Sequence, residues 1–173
     1  RESARYYSRI DQAVRSADHI IAESEGSESD TTIHLRAAED KVSVIHEAIN
    51  PSYRCIANQA AVEAVRRKYA LPAAFVLSVG TIEPRKNLPT LFRAMRRLVD
   101  QHMPDVALAV VGQWGWLYDE VLQVLERLDL KGSVHFLRHV PTDELVYLYN
   151  AASILAYPSY YEGFGLPPLE AMA

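Results

Sequence analysis

Ala74-Phe75-Val76-Leu77-Ser78-Val79-Gly80-Thr81-Ile82-Glu83-Pro84-Arg85-Lys86-Asn87 carries the chain from an apolar run, through a glycine-led loop, to a helix start. Residues 74–79 are apolar on both sides of a pleat, which predicts a strand covered on both faces. Beyond Asn87, Leu91, Phe92, Met95, Leu98 and Val99 form one face of a helix over about 88–101, and Asn87 is its expected cap. Strand, loop and amphipathic helix in that order is the repeating unit of an open parallel sheet.

The same rhythm extends in both directions. A helix over 59–69 precedes this strand. After it come a strand at 106–111, a helix at 117–128, a strand at 134–137, a helix at 144–151, a strand at 153–157 and a last helix from near Leu166. Thr142 is the expected cap of the 144–151 helix. Short apolar strands alternating with helices predict an α/β fold with an open parallel sheet. Upstream, Tyr6, Tyr7, Ile10, Ala13, Val14 and Ala17 recur at helical spacing, and residues 18–22 read as a short strand. The acidic, serine-rich stretch 24–30 is expected to turn the chain, with Ser27 capping a helix that runs to about Leu35. A strand at 42–45 and a turn at Asn50-Pro51-Ser52 follow. The polar run Ala37-Ala38-Glu39-Asp40-Lys41 reads as a link between a separate N-terminal domain and the main sheet. The alternative is that all 173 residues share one sheet.

Bulk properties set limits. A chain of 173 residues, 49% hydrophobic and 23% charged, has the composition of a folded globular protein. Its net charge of −4 gives no reason to expect nucleic-acid binding. One cysteine, Cys55, supplies neither a disulfide framework nor a thiolate metal cluster, and it fits a reduced, cytoplasmic setting. His19, His34, His46 and His102 lack metal-ligand spacing. The apolar runs fall far short of the ~20 residues that cross a bilayer. The chain starts at Arg1 in helix-like sequence and stops at Ala173 early in another helix, so both ends are expected to continue in a longer protein.

Several strand ends carry chemistry. In open α/β sheets, ligands bind outside the carboxyl ends of the strands. Gly80 to Asn87 occupies such a place, with the adjacent cations Arg85 and Lys86 suited to a diphosphate. The alternative is a solvated Arg–Lys pair. The second stretch is Glu162-Gly163-Phe164-Gly165-Leu166-Pro167-Pro168-Leu169-Glu170. Its two carboxylates bracket a turn whose glycines permit positive φ or a close backbone approach, and whose prolines suit the first turn of a helix. Carboxylates accept hydrogen bonds from hydroxyls, and a helix start offers free N–H groups to an anion. Either glutamate alone is also explained as a helix-end carboxylate. The third is His135 to Thr142, where Arg138 and His139 are ligand contacts or, more commonly, exposed loop residues. The fourth is Gly112-Gln113-Trp114-Gly115-Trp116, whose tryptophans are expected to pack locally. A Gly-x-Ser-x-Gly elbow, a Walker loop and a full dinucleotide fingerprint are all absent. Pro168 occupies the third glycine position of the last, which disfavours a nicotinamide cofactor.

Residues 78–87 together with Tyr161 to Ala173 closely resemble the retaining glycosyltransferases of family four (group one), which have the two-domain GT-B fold. The resemblance runs from about Val42 to the end and more loosely back to Arg1. It implies a Rossmann-like C-terminal half of a GT-B fold, truncated at both ends. Residues 1–40 would then be the tail of the acceptor domain with its link, and residues 41–173 an incomplete donor-binding domain. It implies a nucleotide-diphosphate sugar donor, with no separate cofactor and no metal ligand, and a glycan or lipid-linked acceptor held by the preceding domain. The setting implied is cytoplasmic or at the inner face of a membrane, in polysaccharide synthesis of hexosyl- or mannosyltransferase type. The lack of an Asp-x-Asp metal motif agrees with metal independence.

Residue by residue, the resemblance makes Arg85 and Lys86 the diphosphate cations and Glu162 the carboxylate beside the transferred sugar. Glu170 would bind the ribose hydroxyls. Gly80, Gly163, Phe164, Gly165 and Leu166 would supply contacts to sugar and phosphates, and Val140 would read the base edge through its backbone. Two positions depart from the family: Thr81 stands where many members carry arginine, and Arg138 where many carry glycine. A non-catalytic nucleotide-sugar binding module, or another enzyme of the same architecture such as a nucleotide-sugar epimerase, is the competing reading.

Overall fold

The computed structural model describes residues 2–101 and 103–173. The chain divides into two compact units, one holding the described residues up to Ala48 with Glu162–Leu166, the other Ile49–Tyr161 with Pro167–Ala173. The described strands fall into two sheets, so the single continuous sheet does not form.

In the first unit, helix α1 (Glu2–Ser16) leads to strand β1 (Ile20–Ala22), helix α2 (Glu25–His34), a 3₁₀ turn at Glu39–Lys41 and strand β2 (Val42–Val44). Strands β1 and β2 pair in parallel, Ile20 opposite Val42 and Ala22 opposite Val44. The start of α2 corrects the expected cap. Ser24, extended at φ −157°, accepts the Ser27 backbone N–H in its side chain, so the helix begins at Glu25 within the stretch read as a turn. A serine-rich run offers several oxygens, and the extended backbone of Ser24 selects among them.

The second unit contains α3 (Gln59–Lys68), β3 (Phe75–Val79), α4 (Leu88–Gln101), β4 (Ala107–Val111), α5 (Tyr118–Arg127), β5 (Val134–Leu137), α6 (Thr142–Ala151), β6 (Ile154–Leu155) and α7 (Leu166–Met172). Its sheet is fully parallel, in the order β5-β4-β3-β6. Alternate residues of the central strands face opposite sides. Val76, Leu108 and Val110 join Leu91, Phe92 and Met95 of α4 and Val121 and Leu125 of α5. Phe75, Leu77, Ala107, Ala109 and Val111 face Val65 of α3 and Leu148 of α6. Both faces are covered, which is why β3 and β4 read as unbroken apolar runs.

Two expected caps and one strand need correction here. Thr142 is the first residue of α6 and makes no capping bond with its side chain; Pro141 stands before it. The last strand is confined to Ile154–Leu155, at the sheet edge. Asn87 precedes α4 in a left-handed conformation at φ 53°, and its carbonyl accepts the Thr90 N–H. Its side chain donates to the Pro158 carbonyl at 3.1 Å and does not cap α4. Asparagine tolerates this conformation better than most residues, which suits it to the corner.

Candidate functional site

The strand order places a topological switch point between β3 and β6. From β3 the chain progresses through β4 to β5, then returns to the other side of β3 as β6. At such a switch point open α/β sheets form their ligand crevice, at the carboxyl ends of the strands. Ser78, Val79, Gly80, Lys86, Leu88, Tyr157, Pro158 and Ser159 line it.

Hydrogen bonds tie the two loops together. The Arg85 guanidinium Nη1 donates to the Tyr161 carbonyl at 2.9 Å, and the Tyr160 N–H donates to the Arg85 carbonyl at 2.9 Å. Another is the Asn87–Pro158 bond. Arg85 is also gripped by Glu83, whose Oε1 accepts Nε at 3.0 Å and Nη2 at 2.8 Å. The other oxygen of Glu83 accepts the Trp116 indole N–H at 3.2 Å. Lys86 lies with its ammonium 5.2 Å from the centre of the Tyr157 ring. Its stem crosses Gly80, where a Cβ would come within 2.9 Å of Lys86 Cε. The glycine therefore clears the path that the lysine follows into the crevice. Both cations are half-buried and engaged, unlike a solvated surface pair. Ser159 Oγ is buried at the crevice and, among the described residues, has no hydrogen-bond partner. A buried hydroxyl without a protein partner is costly and points to a ligand or water there.

The β3 and β4 loops are held in register beneath this crevice. Gly80 N–H donates to Val111 O at 2.9 Å, Ile82 N–H to Gln113 O at 2.8 Å and Gly115 N–H to Ile82 O at 3.0 Å. Trp114 packs on Phe136 and Tyr118 at 4.9 and 5.0 Å, as local packing requires, while Trp116 is 60% exposed. Val140 is buried in the α3–α6 side core, between exposed Arg138 and His139 and the start of α6.

Glu170 lies on α7 in the same unit. Its Oε2 accepts the Tyr149 hydroxyl at 2.5 Å. The edge of one ring of the pair Tyr53 and Tyr149 faces the other, with centroids 5.5 Å apart. Burial, and then the negative charge of Glu170, push the Tyr53 phenol up to about 12. Burial followed by the Glu170 hydrogen bond raises Tyr149 as well.

Glu162, Gly163, Phe164, Gly165 and Leu166 belong to the first unit. There the Gly163 carbonyl accepts the Ser24 hydroxyl at 2.5 Å, and Phe164 stacks at a tilt on His46, 5.7 Å between centroids. A Cβ on Gly163 would collide with the Glu23 carboxylate at 2.2 Å, and Gly165 adopts φ 102°. Gly163 thus serves a close approach and Gly165 a positive φ.

Sequence reading missed Glu83, Ser159, Tyr149, Tyr53 and Ser24. Glu83 and Ser159 carried a usable signal, being polar residues just beyond strand ends. The two tyrosines carried none, since their partner on α7 is remote in sequence. Among the described residues no group of three or more His, Cys, Asp and Glu could hold a metal ion. His19 bonds Ser43, His34 faces Asp30 and His46 faces Glu25; His102 lies outside the described residues. Among the described residues no helix is long and apolar enough to cross a membrane.

Residues 62–173 match the family described as Glycosyl transferases group 1. The chain belongs to that family. Among the chain's relatives is O-antigen chain mannosyltransferase B of Escherichia coli, 34% identical over 165 residues, 95% of this chain and 43% of that protein. Serotype-specific mannosyltransferase WbdA of Escherichia coli is 36% identical over 161 residues, 90% of this chain and 20% of that protein. The chain thus spans less than half the length of these relatives. Among solved structures, Anabaena Alr3699/HepE in complex with UDP and glucose superposes with a TM-score of 0.77 at 24% identity, covering 92% of this chain and 43% of that one. That is a likeness of fold, and the parallel sheet clothed by helices is that of the GT-B glycosyltransferases.

Proposed function

We propose that this glycosyl transferase chain carries the donor-binding part of an enzyme that moves a sugar from a nucleoside diphosphate to a growing glycan, with retention of anomeric configuration. The observation that carries the reading is the pair Arg85 and Lys86 at the switch-point crevice, one guanidinium braced by Glu83 and one ammonium threaded past Gly80. The names of the relatives favour mannosyl transfer, and the nucleotide bound by HepE favours a nucleoside diphosphate. Residues 1–40 are then the end of an acceptor domain and residues 41–173 belong to the donor domain.

In the reaction, the bond between the anomeric carbon and the diphosphate oxygen breaks, and its electron pair leaves with the diphosphate. An acceptor hydroxyl oxygen bonds to the same carbon, and its proton passes to the departing diphosphate. Negative charge grows on the leaving group, where Arg85 and Lys86 stabilise it. Positive charge grows on the sugar, where the Glu162 carboxylate is placed by the family motif, by analogy with glycoside cleavage. Glu170 takes ribose hydroxyls, the backbone of Gly163, Phe164, Gly165 and Leu166 meets sugar and phosphates, and that of Val140 meets the base.

Lys86→Ala in the full-length enzyme is expected to lower kcat/KM by about 10²-fold, the scale of losing one charge-stabilising donor. An unchanged kcat/KM, with the fold intact by circular dichroism, would remove the assignment. Calorimetric titration with uridine and guanosine diphosphates tests donor binding directly. Binding with no sugar transfer to any acceptor would favour a non-catalytic module.

A further inference from the structure

We propose that Tyr149, backed by Tyr53, is a positioning residue that holds the Glu170 carboxylate and thereby fits this site to a ribose diol in preference to a 2′,3′-dideoxyribose. The inference rests on the reading of Glu170 as the ribose carboxylate.

Glu170 sits on a helix of only seven residues, and a glutamate side chain has three rotatable bonds. Left alone it would sample many directions, and a diol would have to order it on binding. Here it is not left alone. The Tyr149 hydroxyl donates to Oε2 at 2.5 Å, and Tyr149 itself is fixed by packing into the α3–α6 side core. Tyr53, only 8% exposed, meets Tyr149 edge to face, and its phenol lies near enough to feel the carboxylate's charge. Three separate parts of the chain thus converge on one carboxylate: the loop before α3, helix α6 and helix α7. Burial and the nearby carboxylate keep the phenolic protons in place, so Tyr149 acts as the donor to Glu170 and Tyr53 as its packed support. A carboxylate has about four lone-pair sites and accepts only, so the Tyr149 hydroxyl orients it while leaving sites that match two adjacent hydroxyl donors. A 2′,3′-dideoxyribose offers no such donors.

The test is calorimetric binding of ribonucleoside diphosphates (uridine and guanosine) and their 2′,3′-dideoxy forms to the full-length protein. Wild type is expected to favour the ribose form. Tyr149→Phe keeps the ring and its packing and removes only the hydroxyl. It is expected to weaken the ribose form about tenfold, the scale of one hydrogen bond to a charged group, and to leave the dideoxy form unchanged. In the double variant with Glu170→Ala, Tyr149→Phe should add no further loss, because it acts through the glutamate. Equal weakening of both nucleotides, or none, overturns the positioning role. So does full additivity. If Glu170→Ala itself keeps the ribose preference, the ribose reading of Glu170 fails, and failure of the wild type to bind either ribonucleotide sinks both readings. Thermal melts confirm folded variants. Should Tyr149→Phe not fold, Tyr53→Phe replaces it, with the same selective loss expected and an unaltered preference counting against the proposal.

Discussion

Gly112 shows how little room lies between the loops that follow β3 and β4. A Cβ at this position would lie 2.0 Å from the Gly80 carbonyl oxygen and 3.2 Å from the Thr81 nitrogen. Both are backbone atoms fixed by the bonds between the β3 and β4 loops, so neither yields as a side chain would. Gly112→Ala is therefore expected to cost about 3 kcal/mol or more, read as a fall in Tm of several degrees. Gly132, where a Cβ meets nothing within 4 Å, is the control, and Gly132→Ala should be neutral or slightly stabilising. At this scale the sequence disclosed the residues whose surroundings are local. Gly80, Arg85 and Lys86 stand next to one another after a recognisable strand. It did not disclose Tyr149 as the partner of Glu170, or Ser24 as the partner of Gly163, because a hydrogen bond between remote positions leaves no mark in periodicity.

Helices α3 and α6 lie on the same face of the sheet and are joined at one charged point. Glu144 accepts Lys68 Nζ at 2.6 and 2.8 Å and the Tyr69 hydroxyl at 2.6 Å. The Lys68 hydrogen bond, then that from Tyr69, holds the Glu144 carboxyl below the usual carboxylate range. A lowered folded value stabilises the fold above the unfolded pKa, and the contribution is lost as pH falls through the folded one. Glu144→Gln should thus lower Tm at neutral pH, and its difference from wild type should vanish in acid. A difference that persists unchanged at low pH would argue against an ionic tie. The elements themselves were largely legible: α4 and β5 occupy the expected residues, since their apolar patterns are long or sharply bounded. The helix starts were not. Whether Ser24 or Ser27 caps α2, and whether Thr142 or Pro141 precedes α6, depends on backbone angles that composition does not encode. Strand β6 comprises two residues and, among the described strands, pairs with β3 alone.

Across the whole molecule, the two sheets differ sharply in what they bury. In β3 and β4, nine of ten residues are buried, four in β3 and five in β4. In β1 and β2, three residues each, only Ala22 and Val42 are buried. Amides protected by a deep core exchange through global opening, and those with little apolar cover exchange through local opening. Hydrogen exchange is expected to be slowest at Leu77 and Ala109 and far faster at Ile21 and Ser43; equal protection would contradict the contrast. The order β5-β4-β3-β6 also constrains how the chain is made. As it leaves the ribosome, β3, β4 and β5 emerge in the order in which they pair. The opposite edge of β3, a run of buried apolar residues, stays open until Ile154 and Leu155 arrive. An open apolar edge invites pairing with other chains. The two-residue strand whose outgoing loop lines the crevice therefore also covers this edge of β3, and a polypeptide interrupted before it would expose a ready template for aggregation.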